Sequence, residues 1–465
     1  MTETPWLGDA CSLVDAFRAG RHSPLEELEA SLGAIDASNL NAFSHLDAAG
    51  ARERAAAADV SLPFGGVPIG IKELDYVNGW PSTEASLVFR DRLADHTSTM
   101  VERLTSGGGA NPVGLTTASE FGGLNVSISK LNGVTHNPWE HGRTTGGSSA
   151  GSSAAVAGGL VTIASGGDGG GSIRIPASFC GLFGMKGTAG RIPRGPNTMI
   201  GPLTVVLGCM ARSVRDVARW YDVCAGFDRR DPYSLPKIEG WERGLGSHVD
   251  DLRGKRVVIT PTLGTAVVRP EVEAIVRETG EALAARAGLE VVDVDVRLPN
   301  LGLEWAVANL ATLLADLGDR WPECRDDLTG EIAFGLDMAT RLMTLELAAK
   351  SELARIASNE AMAAVFDEVD FVIAATNPDI ACGAEVTFNM KVGDVSVDMA
   401  NAGALTIPAN TVGNPAMSVP AGTVEGLPVG LQVIGRHHHD ALLLDLAVVA
   451  EREMPWPLVA PGSPM

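Results

Sequence analysis

Positive charge is scarce in this chain: 36 lysines and arginines stand against 57 aspartates and glutamates, a formal net charge of −21. Neutralising phosphates requires a basic surface, so this balance argues against nucleic acid as a partner. Cysteines are few and scattered at positions 11, 180, 209, 224, 324 and 382. They include no Cys-x-x-Cys pair, and in a chain of 465 residues they read as reduced, buried thiols rather than a disulfide frame. No apolar stretch approaches the roughly 18 uninterrupted residues of a membrane span. The start, MTETPWLGDACS, lacks the basic region and apolar stretch of a signal peptide. A cytoplasmic protein with no membrane partner is expected. Nucleotide-binding signatures are missing too. The nearest approach to a Walker loop, Gly65 to Lys72, misplaces the lysine and lacks the following hydroxyl, and no G-x-G-x-x-G fits around 166–176. No cofactor and no metal are expected.

What is present is material for a large core: hydrophobic residues make up 45% and charged residues 20%. Residues 8–60 predict helices. Within them, Ser23 followed by Pro24, Glu26 and Glu27 forms a helix start, and Leu25, Leu28, Leu32 and Ile35 recur at helical spacing. Residues 64–72, FGGVPIGIK, predict an apolar strand ending in a charge, and Thr97 to Ser106 a helix. A small-residue helix is expected over 149–158, strands over 160–164 and 204–209, and an amphipathic helix over 213–224. Arg256–Thr260, a helix over 271–287 and Leu289–Val296 read as a β-α-β unit. Helices fill about 302–366, and strands follow at 371–375 and 429–434. Alternating strands and helices predict an α/β fold with a largely parallel or mixed sheet.

The stretch GGDGGGSIRIP, residues 166–176, packs five glycines around Asp168 and then delivers Ser172 and Arg174. Successive glycines let backbone N–H groups converge with no Cβ in the way. Such a cluster suits a developing oxyanion, and a serine at its end places a nucleophile beside those donors, the arrangement acyl transfer needs. A tight structural turn is the rival reading. A serine nucleophile needs a base. His437, His438 and His439 read best as a solvated turn, and His136 and His141 as structural. Lys72, at the end of an apolar strand, can serve if burial keeps its amine neutral, although a strand-end lysine is most often a surface residue. The segment Gly146 to Ser153 contains G-x-S-x-G with Ser149 at its centre, but His141–Thr145 is a poor version of the strand that a nucleophile elbow follows. S-x-x-K occurs twice, at Ser127/Lys130 and Ser234/Lys237, without its companion motifs.

Taken together, these stretches resemble the amidase signature family of serine hydrolases. The match runs through Asn137–Trp139, Gly142–Thr144, Gly146–Ser149, Gly151–Gly158, Gly166–Ala177 and Phe179–Lys186. Upstream, Gly66–Glu73 resembles the family's lysine strand. Downstream, Asn410, Gly413–Ala416, Ser418–Pro420 and Gly426–Gln432 resemble its C-terminal segment. The resemblance implies one large mixed sheet flanked by helices in a single domain, 1–465. That domain divides into an N-terminal helical segment (1–60), a catalytic core (61–210), a mostly helical region (211–370) and a C-terminal part returning to the core (371–465). It implies Ser172 as nucleophile, Ser148 as proton relay after a cis peptide, and Lys72 as base. It further implies the amides of Gly169, Gly170, Gly171 and Ser172 as an oxyanion hole, with Ser149, Asp168 and Arg174 in support. The implied activity is hydrolysis of a small-molecule amide, and homodimerisation is a family-level expectation.

Five positions depart from the family pattern: Gly167 for a hydroxyl residue, Gly169 for threonine or isoleucine, Thr145 for proline, Ala150 for glycine and Gly187 for proline. None removes a member of the triad. The glutamine-hydrolysing subunit of a transfer-RNA amidotransferase is one alternative, and Ile175 and Gly187–Ile192 differ from its usual residues. A catalytically silent member of the fold is the other. Pocket walls are expected near 121–136, 196–203 and 302–345, with Trp305, Phe334 and Met343 either lining an apolar pocket or, the preferred reading, packing in the core.

Overall fold

The computed structural model describes residues 4–196 and 204–464. Its centre is a sheet of eleven strands. In spatial order they are Phe43–Leu46, Asn111–Thr116, Pro68–Lys72, Ile163–Asp168, Val206–Ala211, Phe183–Lys186, Ala416–Val424, Leu427–Gly435, Phe371–Ala375, Arg256–Ile259 and Glu290–Val291. Pro68–Lys72 runs parallel to both of its neighbours, and Arg256–Ile259 to both of its own, while the central pairings from Ile163–Asp168 to Phe371–Ala375 are antiparallel. The sheet is therefore mixed and flanked by helices, as the α/β reading expects. Among the described residues no helix is long and apolar enough to cross a membrane.

Local chemistry explains several elements. Ser23 caps helix Pro24–Ala37 by accepting from the Glu26 amide, and the Glu26 side chain accepts from the Ser23 amide in return. Ser213 caps Val214–Cys224 by accepting from the Asp216 amide. Arg256–Ile259, helix Pro270–Ala287 and Glu290–Val291 form the expected β-α-β unit, but only two residues of the last strand pair. Pro68–Lys72 is buried along its whole length. Gly70 is required there because a Cβ would stand 2.6 Å from the Thr116 side chain of the neighbouring strand.

Other elements differ from the sequence expectation. The strand expected over 160–164 begins at Ile163 and continues through Gly166 and Gly167 to Asp168, pairing residue by residue with Val206–Ala211. The first glycines of the rich segment are thus strand, not loop. The helix expected over 97–106 is a short turn, Thr99–Glu102, followed by a wider one, Arg103–Gly107. Strands Phe43–Leu46, Asn111–Thr116, Phe183–Lys186 and Ala416–Val424 carry proline, glycine or polar residues and have no alternating pattern to announce them.

Candidate active site

Lys72 ends its strand with its amine buried between the two glycine-serine segments. Its Nζ lies 2.8 Å from Ser148 Oγ and 3.2 Å from the Gly167 carbonyl. Burial pushes the amine down to about 8, while the carboxylates of Asp75, Asp168 and Glu84 pull the other way. The backbone of Lys72 is held as well. Its amide donates to Ser165 Oγ at 2.8 Å, and that hydroxyl donates to the buried Asp75 carboxylate at 2.7 Å. Burial raises Asp75 against the Ser165 bond and the nearby Lys72. Neither Asp75 nor Ser165 carries a signal in the sequence, because their partners lie far along the chain.

The Gly147–Ser148 peptide is cis. Ser149 follows it as the residue before helix Ala150–Ala157, fully buried, with Oγ 3.4 Å from the Gly167 carbonyl. Both S-x-x-K pairs are engaged elsewhere. Ser127 bonds Thr135 and Thr144, Lys130 donates to the Asp326 carbonyl, Ser234 donates to carbonyls of its own turn, and Lys237 faces Glu239. His136 and His141 stack at 3.9 Å. Among the described residues no group of three or more side chains is arranged to hold a metal ion.

The glycine segment is organised by Asp168. Its carboxylate accepts from the amides of Gly171 at 2.7 Å and Ile173 at 3.2 Å, and from Asn410 Nδ2 at 2.9 Å. It also takes both the Nε and an Nη of Arg174 at 3.0 Å. Burial opposes that charge, yet the Arg174 guanidinium holds the Asp168 carboxyl well below the usual range. Arg174 is fully buried and spends its remaining donors on Gln432 Oε1 at 2.5 Å, the Thr406 carbonyl at 3.0 Å and Asn410 Oδ1 at 2.6 Å. A buried ion pair is tolerable only when its donors and acceptors are satisfied in this way. Asn410 and Gln432, quiet members of the C-terminal segment in the sequence, complete the network.

One part of the expected oxyanion hole needs correction. The Gly171 amide is taken by Asp168, so it drops out of the donor set. The amides of Gly169, Gly170 and Ser172 make no hydrogen bond with any described residue, nor does the Ser172 hydroxyl, although Ser172 is buried. Gly171 has φ +127, and a Cβ there would stand 2.5 Å from Thr406 Oγ1, so glycine is required.

The apolar trio expected in the core is not there. Trp305 is half-buried against the glycine loop, Phe334 is exposed and Met343 is partly exposed. Helices Gly302–Leu317 and Gly330–Leu342 send Leu313, Leu317, Ile332 and Leu336 inward toward Leu124 and Val126 instead, leaving Trp305 and Phe334 on other faces, while Met343 follows the end of the second helix. Of the expected pocket walls, 197–203 lie outside the described residues. Gly122, from the 121–136 wall, does approach the site: a Cβ on it would stand 3.3 Å from Ser148 Oγ.

The profile of the family described as Amidase matches residues 26–444. A glutamyl-tRNA(Gln) amidotransferase component from Chloroflexus aggregans is 33% identical, with 98% of each chain covered. An acylamidase from Rhodococcus erythropolis is 32% identical, covering 97% of this chain and 96% of its own. Among solved structures, a bacterial aryl acylamidase of the amidase signature enzymes superposes with a TM-score of 0.89 at 27% identity, covering 97% of both chains.

Proposed function

The chain belongs to the Amidase family, and from that premise we propose that it hydrolyses a carboxamide through an acyl-enzyme on Ser172. The observation that carries this reading is the buried Lys72 amine, hydrogen-bonded at 2.8 Å to the hydroxyl of one glycine-serine segment and at 3.2 Å to a carbonyl of the other. A neutral amine in that place is a base. Lys72 takes the Ser148 proton, and Ser148 takes the proton of Ser172. The Ser172 oxygen then attacks the amide carbon, and the oxyanion is received by the amides of Gly169, Gly170 and Ser172. The relay returns a proton to the nitrogen as the C–N bond breaks and the amine leaves. Water, deprotonated along the same path, attacks the ester and frees the carboxylate. Asp168 and Arg174 hold the loop in shape, and Ser149 supports the Gly167 carbonyl.

The acylamidase relatives point to an N-acyl amine as the substrate class. The same reading has the chain act as a cytoplasmic homodimer on a small molecule, without a cofactor. The similarity to the amidotransferase component supports a second reading, in which the chain supplies ammonia within a larger complex. Covalent labelling by a fluorophosphonate, lost in Ser172→Ala, tests the nucleophile, and turnover of primary amides, anilides and short peptides by the chain alone tests the activity. Absence of labelling overturns the hydrolase reading. Hydrolysis that appears only with copurifying partner proteins selects the second one.

A further inference from the structure

The glycine loop cannot aim its own amides, because glycines leave both backbone dihedrals free. In a trans peptide the C=O and the next N–H are held in one plane and point in opposite directions. Pinning a carbonyl on one side of the loop therefore aims the following amide to the other. Every carbonyl from Asp168 to Gly171 is pinned. Asn410 Nδ2 donates to the Asp168 carbonyl at 2.8 Å, Trp305 Nε1 to that of Gly169 at 2.7 Å, and Thr406 Oγ1 to that of Gly170 at 2.6 Å. The Ile175 amide donates to the Gly171 carbonyl at 2.7 Å. The amides that follow are those of Gly169, Gly170, Gly171 and Ser172. Three of them are left unbonded, and Asp168 takes the fourth.

Three of these pins, Asn410, Trp305 and Thr406, come from outside the segments that carry the proposed chemistry, and the last two share a support. Trp305 lies in the first turn of helix Gly302–Leu317, and its indole lies against Gly170, where a Cβ would stand 3.1 Å from both Cε2 and Nε1. That helix begins against the turn Met399–Gly403, where a Cβ on Gly302 would meet the Ala400 side chain at 3.0 Å. Three residues beyond the turn is Thr406, whose amide donates to the Gly403 carbonyl. Trp305 and Thr406 thus reach the loop from one joined support. Trp305 belongs to none of the buried apolar clusters, so core packing does not account for its place.

We propose that Trp305 is a positioning residue for the oxyanion site: by holding the Gly169 carbonyl it keeps the free Gly170 amide facing the acyl oxygen, while Thr406, on the Gly170 carbonyl, turns the Gly171 amide to Asp168. This rests on the amidase reading above. Losing one oxyanion donor outright costs roughly 10²–10³ in kcat. Losing the pin that aims one is expected to cost about 10- to 100-fold.

The test uses the full chain and Trp305→Phe, which keeps an aromatic ring and removes the N–H. Two probes place an oxygen in the oxyanion site: a fluorophosphonate, through its P=O, and a trifluoromethyl ketone, through its hemiketal oxyanion. The expected result is a labelling rate and a kcat lowered about 10- to 100-fold, KM within about twofold, and ketone affinity weakened by the same factor as kcat/KM. Thermal midpoint and far-UV circular dichroism should match the parent. A labelling rate within twofold of the parent, or a loss carried by KM alone, overturns the proposal and leaves the amidase reading standing. A parent that is neither labelled nor active overturns both. If Trp305→Phe does not fold, Trp305→Leu, which also lacks the N–H, carries the test, and an unchanged labelling rate there overturns the proposal.

Discussion

Lys72 Nζ stands 2.8 Å from Ser148 Oγ in a site where the lysine is only 2% exposed. An amine so placed is driven toward its neutral form by loss of water, against three carboxylates that favour its charge. In the proposed relay the hydrogen bond is the route, and burial is what leaves the lone pair vacant.

A pH profile follows directly. With Lys72 at about 8, roughly a tenth of the enzyme carries the neutral base at pH 7. The rate should rise tenfold per pH unit below about 8 and level off above it. Stopped assays of kcat/KM across pH 5.5–10 check this, and a flat profile from pH 6 to 9 would exclude lysine as the titrating base.

Removing the base should be more severe than removing its hydroxyl partner. Lys72→Met is expected to lower kcat by about 10³-fold or more and to abolish the alkaline rise. Ser148→Ala should lower it by about 10²–10³-fold while Ser172 stays in place. Single-turnover measurements on folded variants give the comparison, and wild-type turnover by Lys72→Met would refute the relay.

Asp168→Asn should destabilise the fold by about 3–5 kcal/mol, because it leaves the fully buried Arg174 guanidinium without its counter-charge. The folded carboxyl sits well below the unfolded value of about 4. Its contribution is thus fully present above that pH and is lost as pH falls toward the folded value. Urea unfolding curves of parent and variant should differ by a constant amount above about pH 5 and converge below about pH 4. Equal midpoints at pH 7 would show that the pair is dispensable.

Two glycine substitutions in the same segment should behave oppositely. Gly171→Ala places a Cβ 2.5 Å from Thr406 Oγ1 at a positive φ, so stability and activity should both fall sharply, the latter by about 10²-fold or more. At Gly167 a Cβ would be 3.6 Å from Leu207 and 4.0 Å from Lys72 Nζ, ordinary contacts. Gly167→Ser is expected to fold as well as the parent and to raise kcat a fewfold by stiffening the segment and adding a hydroxyl near the amine. Thermal melts and initial rates decide both cases.

Much of the candidate site proposed here is readable in the sequence because its residues are local and chemically distinctive. Six glycines from 166 to 171 would be a tract; five with one aspartate, ending in serine and arginine, are a shaped segment. The Asp168–Arg174 pair spans a single turn, and Lys72 sits where an apolar strand runs out. The short strands Asn111–Thr116 and Ala416–Val424 were not legible, since proline and glycine within them erase the two-residue alternation. Trp305 leaves two readings open in the sequence, core and pocket, for a different reason. A tryptophan at helical spacing looks the same whether it faces a core or a carbonyl.

The sequence by itself determined the fold class, the family and the short-range chemistry of the glycine-serine segments, because those depend on residue type and near neighbours. Only the tertiary structure decided which amides stay free. That choice is made by Trp305, Thr406 and Asn410, which reach the loop from 136, 236 and 242 residues away. A glycine backbone has no preferred orientation of its own, so its direction is set by whichever distant donors the folded sheet brings to its carbonyls.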